Sequence, residues 1–152
     1  MKLAEALQQR ADLNTRISNL YQRISANTLV QEGEEPAEDP VKLMEEYDAD
    51  AAQLEYITSR INMTNCATVV GGRTLTELLA RRDVLRQTLS HYRNIINNCA
   101  QMSVARARSS EIKIVRTVDV RGLQKQVDEM AGELRELENT VQAANWQTEL
   151  AE

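Results

Sequence analysis

The residues in this chain that could do chemistry are few and widely separated. The sequence holds one histidine, His91, and two cysteines, Cys66 and Cys99. A di-metal centre in a helical bundle needs Glu-x-x-His on two helices, and one histidine without a glutamate three residues before it cannot supply those ligands. The cysteines lack the Cys-x-x-Cys spacing of redox motifs. The sequence therefore predicts no catalytic residue, no metal site and no cofactor.

A pair of glycines before a helix start is the segment most similar to an anion-binding loop. Residues 69–77 read VVGGRTLTE, and Arg73 lies beside a predicted helix N-terminus, where anions can bind. However, neither GxGxxG nor the GK[ST] ending of a phosphate loop is present. A tight turn followed by a capping box, formed by Thr74 and Glu77, explains the same residues.

Charge is unevenly distributed along the chain. Residues 1–72 carry six Lys/Arg against twelve Asp/Glu, residues 73–121 carry ten against four, and residues 122–152 carry two against seven. Either a basic helix packs between acidic ones, or a basic surface binds an anion or nucleic acid. The first reading is favoured because no basic cluster is dense and an aromatic share of 3% provides few rings for base stacking. We expect no nucleic-acid partner.

Nothing in the sequence directs the chain to a membrane. Its longest uncharged stretches are too short and too polar to span a bilayer, and Glu5 and Asp12 interrupt the region where a signal peptide would be apolar. We therefore expect a cytoplasmic location and no stable membrane association.

Four amphipathic segments account for most of the chain. The first runs from Lys2 to about Leu29. The second begins at Pro40, since a proline at a helix start loses no needed donor, and runs to about Asn65. The third begins at the capping box described above, and the fourth follows Asp119 as its cap.

Apolar side chains recur at steps of three and four residues in these segments. In the second helix the stripe is Met44, Tyr47, Ala51, Leu54, Ile57 and Ile61, and in the fourth it is Val120, Leu123, Val127, Met130, Leu134, Leu137, Val141 and Ala144. Such spacing favours coiled-coil-like packing. The sequence therefore predicts a mainly α fold: an up-and-down bundle of four long helices with a minor two-strand β element, in a single domain over residues 1–152.

The segments outside the helices are an acidic linker and two strand-like runs. The linker covers residues 31–40, and the strand-like runs cover 67–70 and 111–118. The connection after the third helix is barely long enough to bring the second run back to the first within one chain. We therefore expect the second run to pair with another copy, by strand addition. The predicted oligomer interface is Ile112, Ile114 and Val118. Trp146 is interpreted as a packing anchor for the tail.

Several segments together resemble the septicolysin-like family of small bacterial helical proteins. They are MKLAEAL, VQEGEEPAEDP, INMTN, GRTLTELLARRDVL, SEIKIVRTVDV and ANWQTEL, in the order of the chain. The resemblance covers essentially the whole chain. It implies no established reaction, cofactor or active-site residue, although the family's name implies a haemolysin-type toxin.

The sequence thus predicts a non-enzymatic, self-associating scaffold or interaction protein that forms a homo-oligomer. Two alternatives stay open at this point. One is a membrane-active toxin, which the family name and the alternating run 111–118 suggest. The other is a small-ligand-binding protein or enzyme with a pocket between helices, whose ligand the sequence does not identify.

Overall fold

The protein is mainly helical in the computed structural model, which describes residues 1–105 and 115–151. The described elements are α1 (Leu3–Asn27), α2 (Pro40–Ala67), β1 (Val69–Val70), β2 (Arg73–Thr74), α3 (Leu75–Ala105) and α4 (Val120–Gln147). Helix pairs pack against each other, and the two strands form a small antiparallel sheet. The predicted fold class is therefore confirmed.

The chain divides into two compact units. One comprises Met1–Thr74 together with the chain from Ala144 onward, and the other comprises Leu75–Ala143. Helix α4 contributes to both, since the boundary falls within its last turns. That residues 1–152 form a single domain stays a prediction.

In the first unit, α1 and α2 pack as an antiparallel hairpin. Arg16 of α1 reaches Asp50 of α2, and Asn27, later in α1, contacts Glu38, just before α2. Helix α2 begins as predicted, because Asp39 accepts a hydrogen bond from the Val41 N–H at 3.0 Å. The buried side chains of the two helices are Leu3, Ala6, Leu13, Leu20, Leu43, Asp50, Ile57, Ile61 and Thr64.

The end of the chain is fastened to the other end of this hairpin. The Leu3 N–H donates to the Thr148 carbonyl at 2.9 Å, and the Ala151 N–H donates to Thr64 Oγ1 at 2.9 Å. These hydrogen bonds satisfy backbone N–H groups at the start of α1 and in the tail.

The minor sheet is a hairpin formed by neighbouring residues. Val69 pairs with Thr74 and Val70 with Arg73. Gly71 and Gly72 connect them with φ of +59° and +83°, which a two-residue turn with left-handed central residues requires.

The hairpin corrects the expected roles of the two strand-like runs. The run 67–70 pairs with the two residues after its own turn, so it needs no distant partner. Of the run 111–118, the part that the structure describes, 115–118, contains no strand, and residues 111–114 lie outside the described residues. The pairing of the second run with another copy stays a prediction.

In the second unit, two arginine–glutamate ion pairs join α3 to α4. Arg81 pairs with Glu133, and Arg86 pairs with Glu138. Its buried side chains include Leu75, Leu78 and Leu89 of α3, and Val127, Leu137 and Val141 of α4.

The start of α4 depends on a cap and an adjacent glycine. Asp119 accepts a hydrogen bond from the Arg121 N–H at 3.1 Å, as the predicted cap requires. A Cβ on Gly122 would lie 2.6 Å from Asp119 Oδ2, so the glycine leaves room for the capping carboxylate.

The apolar stripe predicted for α2 is correct in its C-terminal half and wrong at its start. Ile57 and Ile61 are buried as predicted, whereas Met44 is 53% exposed and Leu43 is buried in its place. The buried face of α2 includes Asp50, and this charged residue interrupts the apolar pattern by which the face would be recognised in the sequence.

Trp146, interpreted from the sequence as a packing anchor, is not buried. Its side chain is 59% exposed. Helix α4 continues to Gln147, so Trp146 lies two residues after the buried Ala144, about 200° around the helix from it.

Candidate interaction surface

Uncovered apolar side chains flank the connection between α1 and α2 on both sides. Leu29 is 89% exposed, and Val30, Val41 and Met44 are also exposed. Leu29 and Val30 follow the end of α1, and Val41 and Met44 lie in the first turns of α2. We call these four residues the turn patch. Exposed apolar residues are ordinary singly, but a group of them at one place marks a binding surface.

The connection that carries half of the turn patch is pinned at both ends. The Glu38 N–H donates to Asn27 Oδ1 at 3.0 Å, and the Arg23 guanidinium forms an ion pair with the Glu38 carboxylate. The hydrogen bond from Arg23 lowers the pKa of Glu38 below its ordinary value. Residues 28–37 thus form a surface loop with fixed ends, a type of loop that is frequently functional.

The turn patch is surrounded by negative charge. The loop carries Glu32, Glu34 and Glu35, all exposed and without an ion-pair partner among the described residues. Glu45 and Asp48 of α2 are also exposed. Lys42, which lies between Val41 and Met44, is also exposed, so carboxylates outnumber cations around the patch but are not alone there. A partner of this surface must therefore supply apolar groups and positive charge.

Val118 of the predicted oligomer interface and its described neighbours are also uncovered. Val115 is 67% exposed and Val118 is exposed as well, with Arg116 exposed between them. We call Val115–Val118 the valine segment. Of the residues predicted for the interface, Val118 therefore lies at the surface, and Ile112 and Ile114 lie outside the described residues.

A buried carboxylate lies in the seam between α1 and α2. Asp50 is only 4% exposed, and its Oδ1 lies 2.8 Å from the Arg16 guanidinium, which is largely in solvent. Its Oδ2 has no hydrogen-bond partner among the described residues. One ion pair thus offsets the cost of removing this charge from water only in part. The sequence analysis did not identify Asp50 as a buried residue.

A shallow groove runs beside this seam in the first unit. It encloses about 630 Å³ and is mainly apolar. Its lining residues are Ile17, Tyr47, Ala51, Leu54, Glu55, Thr58, Ser59, Asn62 and Met63. Three of them, Tyr47, Ala51 and Leu54, belong to the predicted stripe and are half-buried, which leaves apolar surface along the groove.

The groups considered for chemistry lie at unrelated places. His91 is exposed in the middle of α3, Cys66 is exposed near the end of α2, and Cys99 is half-buried in α3. Within the described residues, no three potential metal ligands of the His, Cys, Asp or Glu type gather at one point.

The fold and this surface define a mainly helical protein with paired helices and an acidic, apolar surface at one helix–helix turn. The model of DUF6847, a family of unknown function, matches residues 10–150, and the chain belongs to this family. Comparison with curated proteins gave no match.

A solved structure shows the same fold at substantial identity. It is the crystal structure of a functionally unknown conserved protein from Corynebacterium diphtheriae, which is 38% identical to this chain. The alignment covers 99% of each chain with a TM-score of 0.92.

These matches overturn the resemblance to the septicolysin-like family. Both the family model and the solved structure cover nearly the whole chain, and neither points to that family. The toxin reading rested mainly on that name and loses this support. Among the described helices, none is long and apolar enough to cross a membrane.

Proposed function

We propose that this protein is a non-enzymatic interaction protein that self-associates. The observation that carries the proposal is the turn patch, a group of uncovered apolar side chains next to a loop with pinned ends. Covering such a patch with a partner removes apolar area from water, which is the main driving force of association. The pinned ends support the proposal, because they hold the loop beside the start of α2.

The non-enzymatic part of the proposal rests on the sequence. One histidine and two cysteines outside any recognised motif do not form a nucleophile, base and orienting group.

The turn patch can be tested by making it polar. In a Leu29→Ser, Met44→Ser variant we expect the solution mass, measured by light scattering, to fall toward the 17.2 kDa of one chain. Both side chains are exposed, so the helical circular dichroism should be retained. A Val84→Ser variant is the matched control, since Val84 is an exposed valine of α3 outside the patch. An unchanged mass in the double variant would contradict the proposal.

The groove favours one alternative, a carrier of a small apolar ligand. Its size is within the range of ligand pockets, and Tyr47 and Leu54 provide apolar surface. A ligand in the groove would raise the melting temperature of the wild type by mass action and would not do so in a Leu54→Arg variant. Equal shifts in both proteins would rule out the groove as the site.

A further inference from the structure

We infer that the protein binds a linear aliphatic amine, with an ammonium group at each end, in a shallow pocket beside Trp146. The pocket lies in the first unit and encloses about 400 Å³. Its lining residues are Ala4, Glu5, Gln8, Gln9, Asp12 and Trp146. This inference concerns a different surface from the turn patch and goes beyond the proposed function.

The tail of the chain holds Trp146 beside the start of α1. Two residues after Trp146, the Thr148 carbonyl accepts a hydrogen bond from the Leu3 N–H at 2.9 Å. The Lys2 ammonium donates a further hydrogen bond to the Gln147 carbonyl at 3.1 Å. Trp146 is nevertheless 59% exposed, so its backbone is fastened while its ring is open to solvent. An indole in this position offers a ligand both an apolar face and attraction for a cation.

Two carboxylates in the pocket are exposed and lack a cation. Neither Glu5 nor Asp12 has an ion-pair partner among the described residues. Glu5 Oε2 accepts a hydrogen bond from the Lys2 N–H at 2.7 Å, and Asp12 Oδ1 accepts one from the Gln8 amide at 2.9 Å. Each carboxylate is therefore oriented by one oxygen and has a second oxygen for a ligand.

The cations of the neighbouring chain are already bound or do not reach the pocket. The amino terminus and Lys2 both pair with Glu149. Arg16 pairs with Asp50. Arg10 is not among the residues that line the pocket. A ligand can therefore supply the positive charge that the two carboxylates lack.

The spacing of the carboxylates indicates the class of ligand. Asp12 follows Glu5 by almost two helical turns, which places both on one face of α1 about 10 Å apart along its axis. The half-buried Ala4 and the ring of Trp146 add apolar surface to the same pocket. A methylene chain with an ammonium group at each end matches this pattern. The volume of the pocket is within the range of small-molecule sites, which favours a free amine over a protein segment.

The first test uses the fluorescence of Trp146, which is the only tryptophan of the chain. We expect hexamethylenediamine to change the emission of the wild type in a saturable way. Hexanediol has the same methylene chain with uncharged ends, and we expect it to cause no change at the same concentrations. Hexylamine, with one ammonium group, should bind about tenfold more weakly than the diamine, since it can pair with only one carboxylate.

The second test removes both charges from the pocket. Glu5→Gln with Asp12→Asn keeps the hydrogen bonds within α1, because an amide oxygen accepts as a carboxylate oxygen does. We expect this double variant to raise the dissociation constant of hexamethylenediamine about tenfold or more. Glu32→Gln with Glu45→Gln is the matched control, since it removes two exposed carboxylates of the same unit outside the pocket. The control should bind like the wild type.

The inference is wrong if the diamine causes no saturable change, if hexanediol acts equally, or if the double variant binds as tightly as the wild type. A pentalysine peptide serves as a further arm. If it binds more tightly than the diamine and also depends on Glu5 and Asp12, the ligand is a lysine-rich protein segment and the assignment to a free amine is overturned. These outcomes leave the solution mass of the turn-patch variants untouched, so the proposed function stands or fails separately.

Discussion

At the scale of single residues, the most informative position is Asp50, a carboxylate buried between two helices. Its neighbours Glu45, Glu46 and Asp48 are exposed, and the acidic run is a solvated face apart from this one member. A carboxylate in a helix seam is visible only when the partner helix is known, because Arg16 is 34 positions away in the sequence. Polar residues in such seams can fix which positions of two helices meet.

The ion pair predicts an asymmetry between its two partners. Arg16→Ala leaves a buried charge without compensation, and we expect it to lower the free energy of unfolding by about 3 kcal/mol. Asp50→Leu removes the buried charge and leaves Arg16 in solvent, so we expect a neutral or stabilising change. Urea melts at neutral pH measure both. If both substitutions lower the free energy of unfolding equally, the interactions of Asp50 stabilise the fold by more than the burial of its charge costs.

At the scale of elements, the helices were predictable and their pairing was not. The three-and-four spacing and the proline at the start of α2 located α1 and α2 to within about two residues of their ends. The spacing on α4 was also reliable, since Val127, Leu137, Val141 and Ala144 are buried. The turn patch could not be predicted, because Leu29 and Val30 have the composition of core residues and their exposure depends on what packs against them.

The pinned loop between α1 and α2 should respond to acid. The hydrogen bond from Arg23 lowers the pKa of Glu38 in the folded protein. The contribution of this ion pair to stability is therefore present above the ordinary pKa of 4.5, and it is lost as the pH falls through the lowered pKa of the folded state. We expect the wild type to melt higher than Glu38→Gln at neutral pH, and this difference to shrink below about pH 4.5. Thermal melts over a pH series measure it.

Glu35→Gln is the control for this experiment, because it makes the same chemical change in the same loop at a side chain without an ion-pair partner among the described residues. A difference between wild type and Glu38→Gln that stays constant with pH would mean that the ion pair with Arg23 does not hold the loop.

At the scale of the whole molecule, the central claim is that the protein works by binding copies of itself. The fold class followed from the sequence because helical periodicity is a local property. Self-association is a property of surfaces, and the sequence indicated only that the region of Val118 would take part. The structure adds the turn patch, whose exposed apolar side chains the sequence did not indicate.

The measurement that tests this claim most directly is the mass of the wild-type protein in solution, by light scattering at low and high micromolar concentration. The account predicts a mass of at least twice 17.2 kDa at the higher concentration, decreasing on dilution if association is reversible. A mass of 17.2 kDa at both concentrations would contradict it.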